Sequence, residues 1–204
     1  MKRNSIVAGI ILAALFCASG LYPITGDEAL AKFRGRMLGI GKMSGVISWT
    51  QGSGFSYSGT FKYMAPDKIY VKFSNPGGKI LVSNGRKLWV YNPSSSICGV
   101  QDLATGSISG GIAGMTGDYR AIVTAQGADG YTIKLKNSDK AYTEIILRVD
   151  STFFLKRAIL KDKNGDGFSF TLSNVDFTPA VMQSLFNFNV PSNAQVVKNP
   201  LNIK

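Results

Sequence analysis

Phe55-Ser56-Tyr57-Ser58-Gly59-Thr60-Phe61-Lys62-Tyr63, followed across Ala65-Pro66-Asp67 by Lys68-Ile69-Tyr70-Val71-Lys72-Phe73, alternates apolar with polar residues. Successive side chains of a strand point to opposite faces of a sheet. Phe55, Tyr57, Phe61 and Tyr63 therefore share one face of a first strand, with Ser56, Ser58, Thr60 and Lys62 on the other. In the next strand Ile69, Val71 and Phe73 oppose Lys68, Tyr70 and Lys72. This period of two predicts antiparallel strands with one buried and one wet face.

The pattern extends in both directions. Turn signals recur at Asn75-Pro76-Gly77-Gly78, Ser83-Asn84-Gly85, Ala128-Asp129-Gly130, Asn137-Ser138-Asp139 and Asn164-Gly165-Asp166-Gly167. Between them lie Lys79 to Val82, Lys87 to Tyr91, Ala121 to Ala125, Tyr131 to Lys136, Thr143 to Val149, Phe153 to Lys161 and Phe168 to Leu172. With the strand from Val46 to Gln51, about ten strands follow one another as a meander, which predicts a mainly β fold built on a large, curved sheet. Helical signals are few. Thr25 or Asp27 can cap a helix carrying Leu30, Phe33 and Met37 at three- and four-residue spacing. The glycine-rich stretch from Gln101 to Asp118, with Leu103, Ile108, Ile112 and Met115, has room for one or two short, weak helices. Thr178-Pro179 predicts a short helix through Leu185, and Phe186-Asn187-Phe188-Asn189-Val190-Pro191 a final strand.

The amino terminus sets the compartment. Lys2 and Arg3 precede an uncharged run, Ile6 to Phe16, that is too short to span a bilayer. Residues 1–20 are expected to be a signal peptide cleaved near Gly20, and residues 21–204 a single domain in the periplasm. Ala14-Leu15-Phe16-Cys17 loosely imitates a lipoprotein box, so lipidation at Cys17 is the alternative. Cleavage would leave Cys98 as the one cysteine, and the fold would rest on its core without a disulfide.

Lys and Arg number 23 against 12 Asp and Glu, a formal net charge of +11, yet they are dispersed along strands and do not form blocks. With secretion, that dispersal argues against nucleic acid and leaves a solvated sheet face or attraction to anionic membranes and acidic proteins. The chain has no histidine, which removes Ser-His-Asp and Cys-His catalysis and the usual zinc sites. Asp162-Lys163-Asn164-Gly165-Asp166-Gly167 matches the first half of a calcium loop, but Ser173 stands where the closing carboxylate belongs, so a hairpin turn is expected. Catalytic residues, bound metal and cofactor are all expected to be none. What remains is surplus apolar surface on regular strand faces, which a strongly curved sheet can turn into a ligand cavity.

The run Lys79-Ile-Leu-Val-Ser-Asn-Gly-Arg-Lys-Leu-Trp-Val-Tyr-Asn-Pro93 resembles the LolA family of periplasmic lipoprotein carriers, as do Trp49-Thr50-Gln51, Ala65-Pro66 and the Phe186 to Pro191 segment. The resemblance implies an unclosed antiparallel β-barrel of about ten or eleven strands, wrapped over a few short helices that form a lid. It implies a monomer that receives lipoprotein acyl chains from an inner-membrane lipoprotein-releasing ABC transporter and passes them to an outer-membrane lipoprotein receptor. At ~0.8 kcal/mol per buried methylene, a free acyl chain would not cross water unaided. The candidate acyl-chain site comprises Leu30, Phe33, Met37, Trp49, Phe61, Tyr63, Ile69, Val71, Phe73, Leu81, Trp89, Tyr91, Ile108, Ile112 and Met115. An arginine usually precedes the proline of Ala65-Pro66 in that family and contacts the lid; Ala65 puts that latch in doubt. Two other roles suit a similar fold: an outer-membrane-anchored receptor of the LolB type, lipidated at Cys17, or an envelope glycolipid-binding or stress-sensing module.

Overall fold

The structure, a computed structural model, describes residues 24–52, 54–103 and 111–199. The expected leader, Cys17 and Ile108 lie outside the described residues.

Helix α1 (Gly26–Leu38) starts where the capping signal placed it. Thr25 is extended, and its hydroxyl accepts from the Glu28 backbone N–H at 3.2 Å. Asp27 and Glu28 in the first turn and Arg36 in the last complement the helix dipole. Ala29, Leu30 and Phe33 form the buried stripe. Gly26 is required by close approach, because a Cβ there would overlap the Ala121 carbonyl of the neighbouring strand.

The first run of strands is β1 (Lys42–Gln51), β2 (Phe55–Met64), β3 (Lys68–Asn75), β4 (Gly77–Asn84), β5 (Lys87–Asn92) and β6 (Ile97–Asp102). A short helix α2 (Gly111–Met115) precedes the second run, β7 (Arg120–Gly127), β8 (Gly130–Lys136), β9 (Glu144–Val149), β10 (Leu155–Lys161) and β11 (Gly167–Asp176). After one 3₁₀ turn, Gln183–Phe186, the strand β12 (Gln195–Lys198) ends the order.

All belong to one 12-stranded sheet, ordered β12-β6-β5-β4-β3-β2-β1-β11-β10-β9-β8-β7, so its two ends do not pair with each other. The fold is therefore mainly β and the barrel is unclosed. It is two meanders, not one. The chain builds outward from β1 to β6, crosses to the far edge at β7, and returns until β11 pairs antiparallel with β1.

Three expectations need correction. The expected helix from Thr178 through Leu185 is reduced to the 3₁₀ turn at its end, Gln183–Phe186: the Asp176 carboxylate accepts from the Thr178 N–H at 2.8 Å and its hydroxyl at 3.1 Å, an Asx turn that removes Thr178 as a cap. Phe186 to Pro191 is not a strand; its period of two arises because an extended segment lying on a sheet also buries alternate residues. The sheet exceeds ten or eleven strands because β6 lies in a stretch without strand alternation and β12, which pairs parallel with β6, carries no local signal.

The main core lies between α1 and the concave face of β7–β11. Ile133, Leu135, Ile145, Leu147, Leu155 and Leu160 are fully buried there with Phe33 of the helix. Val82, Cys98, Val181 and Phe186 are buried as well, outside that cluster. Cys98 is fully buried, and burial pushes its thiol above its ordinary range. The Asp162 loop is a hairpin turn joining β10 to β11, its carboxylate accepting from the backbone N–H of Asn164 at 2.8 Å and Asp166 at 3.0 Å.

Candidate functional site

Residues directly opposite in paired strands share a face. Phe61 lies opposite Val71, Val71 opposite Leu81, Leu81 opposite Val90, and Val90 opposite Gly99, so one face runs continuously from β2 to β6. Near β2 and β3 this face is closed, with Phe61, Val71 and Phe73 buried. Toward β6 it opens into a groove of about 400 Å³ whose apolar wall is Leu88, Val90 and Ile97 and whose polar groups come from Lys79, Asn92 and Gln101. Val90 and Ile97 remain 42% and 40% exposed, where an ordinary core position would be near zero. The volume falls within the ~300–1,000 Å³ of small-molecule sites.

Tyr63, Ile69 and Leu81 are half-buried on this face beside Phe61, Val71 and Phe73, and Trp49 joins them through β1. Leu30 and Phe33 are fully committed to the packing of α1 against the sheet, with Met37 partly buried at its end. Ile112 packs on the core from α2, whereas Met115 is exposed. Trp89 and Tyr91 lie on the other face. They oppose Val82 and Ile80, and their rings meet that of Phe188 in tilted contacts at 6.4 and 5.9 Å. Those aromatics hold the carboxy-terminal segment on the outside of the sheet.

Leu88 and Val90 are not separable from Trp89 and Tyr91 by period, because both faces of Leu88-Trp89-Val90-Tyr91 are apolar, and Ile97 lies in a stretch without strand alternation. Hairpin arithmetic held the signal. Any loop of even length at Asn84-Gly85 brings the odd-numbered Leu81 opposite an even-numbered residue, which selects Leu88 and Val90.

The apolar wall, its few polar groups and its open end suit an amphiphile with a long chain. A family model for the outer membrane lipoprotein carrier protein LolA matches residues 50–189. The chain belongs to the LolA family. An outer-membrane lipoprotein carrier protein of a Shewanella sp. (strain MR-7) is 28% identical over 143 residues, 68% of this chain and 69% of the relative. That of Shewanella oneidensis is 27% identical over 180 residues, 85% of this chain and 82% of its own. Among solved structures, an uncharacterized conserved protein from Thermus thermophilus superposes with TM-score 0.57 at 13% identity, covering 84% of this chain and 98% of its own. The MucA/MucB complex of Pseudomonas aeruginosa gives 0.51 at 12% identity, covering 83% of this chain and 62% of its own. Both likenesses are of fold alone.

The position before Pro66, where the resemblance puts an arginine in contact with the helices, is Ala65 in this chain. The Ala65 backbone N–H donates to the Gly41 carbonyl at 2.8 Å, and its side chain has nothing to reach the helices with. Instead Arg34 of α1 donates through Nε to the Thr116 hydroxyl at 2.9 Å and through its terminal nitrogen to the Thr116 carbonyl. The Thr116 hydroxyl in turn donates to the Ala113 carbonyl at 2.7 Å, closing the end of α2. A guanidinium is suited to this because its fixed fork serves two acceptors at once.

Proposed function

We propose that this protein is a periplasmic carrier that shelters the acyl chains of lipoproteins in the β4–β6 groove, taking them from an inner-membrane transporter and delivering them to an outer-membrane receptor, without catalysis. The observation that supports the reading is the unequal filling of one sheet face: at the β7–β8 end α1 packs on it and closes a core, while Leu88, Val90 and Ile97 stay open to a ligand. Partial shelter suits carriage, because a chain held in an open groove can also be released.

The test adds the purified protein to spheroplasts that export an acylated reporter lipoprotein. The reporter is expected in the soluble fraction, bound to the carrier. Val90→Glu places an unpaired charge on the groove wall and is expected to lower reporter release about tenfold, the equivalent of ~1.4 kcal/mol. A reporter that stays on the membrane with the wild-type protein refutes carriage. The mass of the mature protein separates the anchored reading, since acyl chains on Cys17 would make it a receptor.

A further inference from the structure

The concave face carries one polar group that neither the core nor the groove uses. Trp49 of β1 lies opposite Tyr57 of β2 and Phe170 of β11, and its ring is 5.3 Å from that of Phe168. The aromatic row continues from Tyr57 to Phe73 at 5.8 Å, and Lys79 Nζ lies over the Tyr57 ring at 5.0 Å. Lys79 is also part of the groove wall, so the row of rings runs into the groove at this end of the sheet. Within the row the Trp49 indole N–H is shielded from solvent and has no hydrogen-bond acceptor among the described residues.

A buried donor without an acceptor is costly and uncommon. Its neighbours are the rings of Phe168, Phe170 and Tyr57, and no acceptor of the described residues, the Tyr57 hydroxyl included, is within hydrogen-bond reach of this N–H. A carboxylate or phosphate would satisfy it only by bringing a full charge beneath the rings, whereas a carbonyl brings an acceptor and no charge. Resting on the carrier reading above, we propose that Trp49 recognises the ester or amide carbonyl at the head of a long acyl chain whose tail lies in the groove. Tyr57 and Lys79, both half-buried, are the side chains that move aside to admit it. The site thereby prefers acyl to alkyl chains of the same length. Trp89 has no such role, because it packs against Phe188 on the other face.

The probes are two lysophospholipids of equal chain length, a 1-acyl and a 1-O-alkyl glycerophosphocholine, which differ in the one carbonyl. Titration calorimetry below the micellar concentration is expected to show the acyl form binding wild-type protein about tenfold more tightly. In Trp49→Phe, which keeps the ring and removes the donor, the ratio is expected to fall to about one. In Trp89→Phe, where Trp49 is the remaining indole, emission is expected to shift with the acyl form and not with the alkyl form. Equal affinities on the wild type, a preference that survives in Trp49→Phe, or an unmoved Trp49 emission would each overturn the proposal while leaving the carrier reading intact. Binding of neither form would overturn both.

Discussion

The two halves of the sheet are written in the same period-two pattern and put it to opposite uses. Over β8 and β9, Ile133, Leu135, Ile145 and Leu147 are fully buried in one core with Leu30 and Phe33 of α1, which lies against β7 and β8. Over β4–β6, Leu88, Val90 and Ile97 occupy equivalent inward positions with no helix above them among the described residues. What covers the second half covers its opposite face, where the 3₁₀ turn and Phe188 pack on β3, β4 and the Trp89–Tyr91 pair. An apolar strand face is thus a core or an open groove according to which side the helices take.

The largest effect that could break this contrast is on stability. Phe33→Ala removes the fully buried ring that plugs the filled half and is expected to cost ~3–5 kcal/mol in urea unfolding. Val90→Ala, at an exposed groove position, is expected to stay within about 0.5 kcal/mol. Comparable losses would mean that the groove is core after all.

A smaller effect sharpens the boundary between the halves. Arg34→Gln removes the charged fork that ties α2 to α1, and hydrogen bonds to charged groups contribute ~1.5–3 kcal/mol. Amide exchange across residues 111–116 is expected to accelerate by at least tenfold, with the β7–β10 amides unchanged. Ala65→Arg is expected to leave that exchange rate as it is, because Arg34 already occupies the Thr116 carbonyl and hydroxyl. Slower exchange in Ala65→Arg would show that the latch position of the family still works here.

The smallest effect lies on the outer face of the filled half. Lys134 hydrogen-bonds Glu144 at 2.7 Å and Lys161 lies 3.4 Å away, and together they outweigh burial to hold the Glu144 carboxyl below its ordinary value. A folded-state pKa below the unfolded one adds stability at neutral pH that fades as the pH falls through the folded value. Glu144→Gln should therefore cost ~0.5–1 kcal/mol at pH 7 and flatten the loss of stability between about pH 5 and pH 3. An unchanged acid limb would remove this carboxylate from the account.

Features that depend on near neighbours were legible in the chain itself. The Thr25 cap, the Leu30–Phe33 stripe, the β2 and β3 faces and the turn at Ser83-Asn84-Gly85 all rest on residues a few positions apart, and all are present in the fold. Other features were set by partners far along the chain. The period of Phe186 and Phe188 could not say that they lie on a sheet and not in one, since both arrangements bury alternate residues. The parallel pairing of β12 with β6 needed a strand nearly a hundred residues distant, and Arg34 needed Thr116, 82 positions away. Most of all, Trp89 and Val90 are neighbouring apolar residues of one strand, and only the placement of α1 on one half and Phe188 on the other face made one a packing group and the other the wall of a groove.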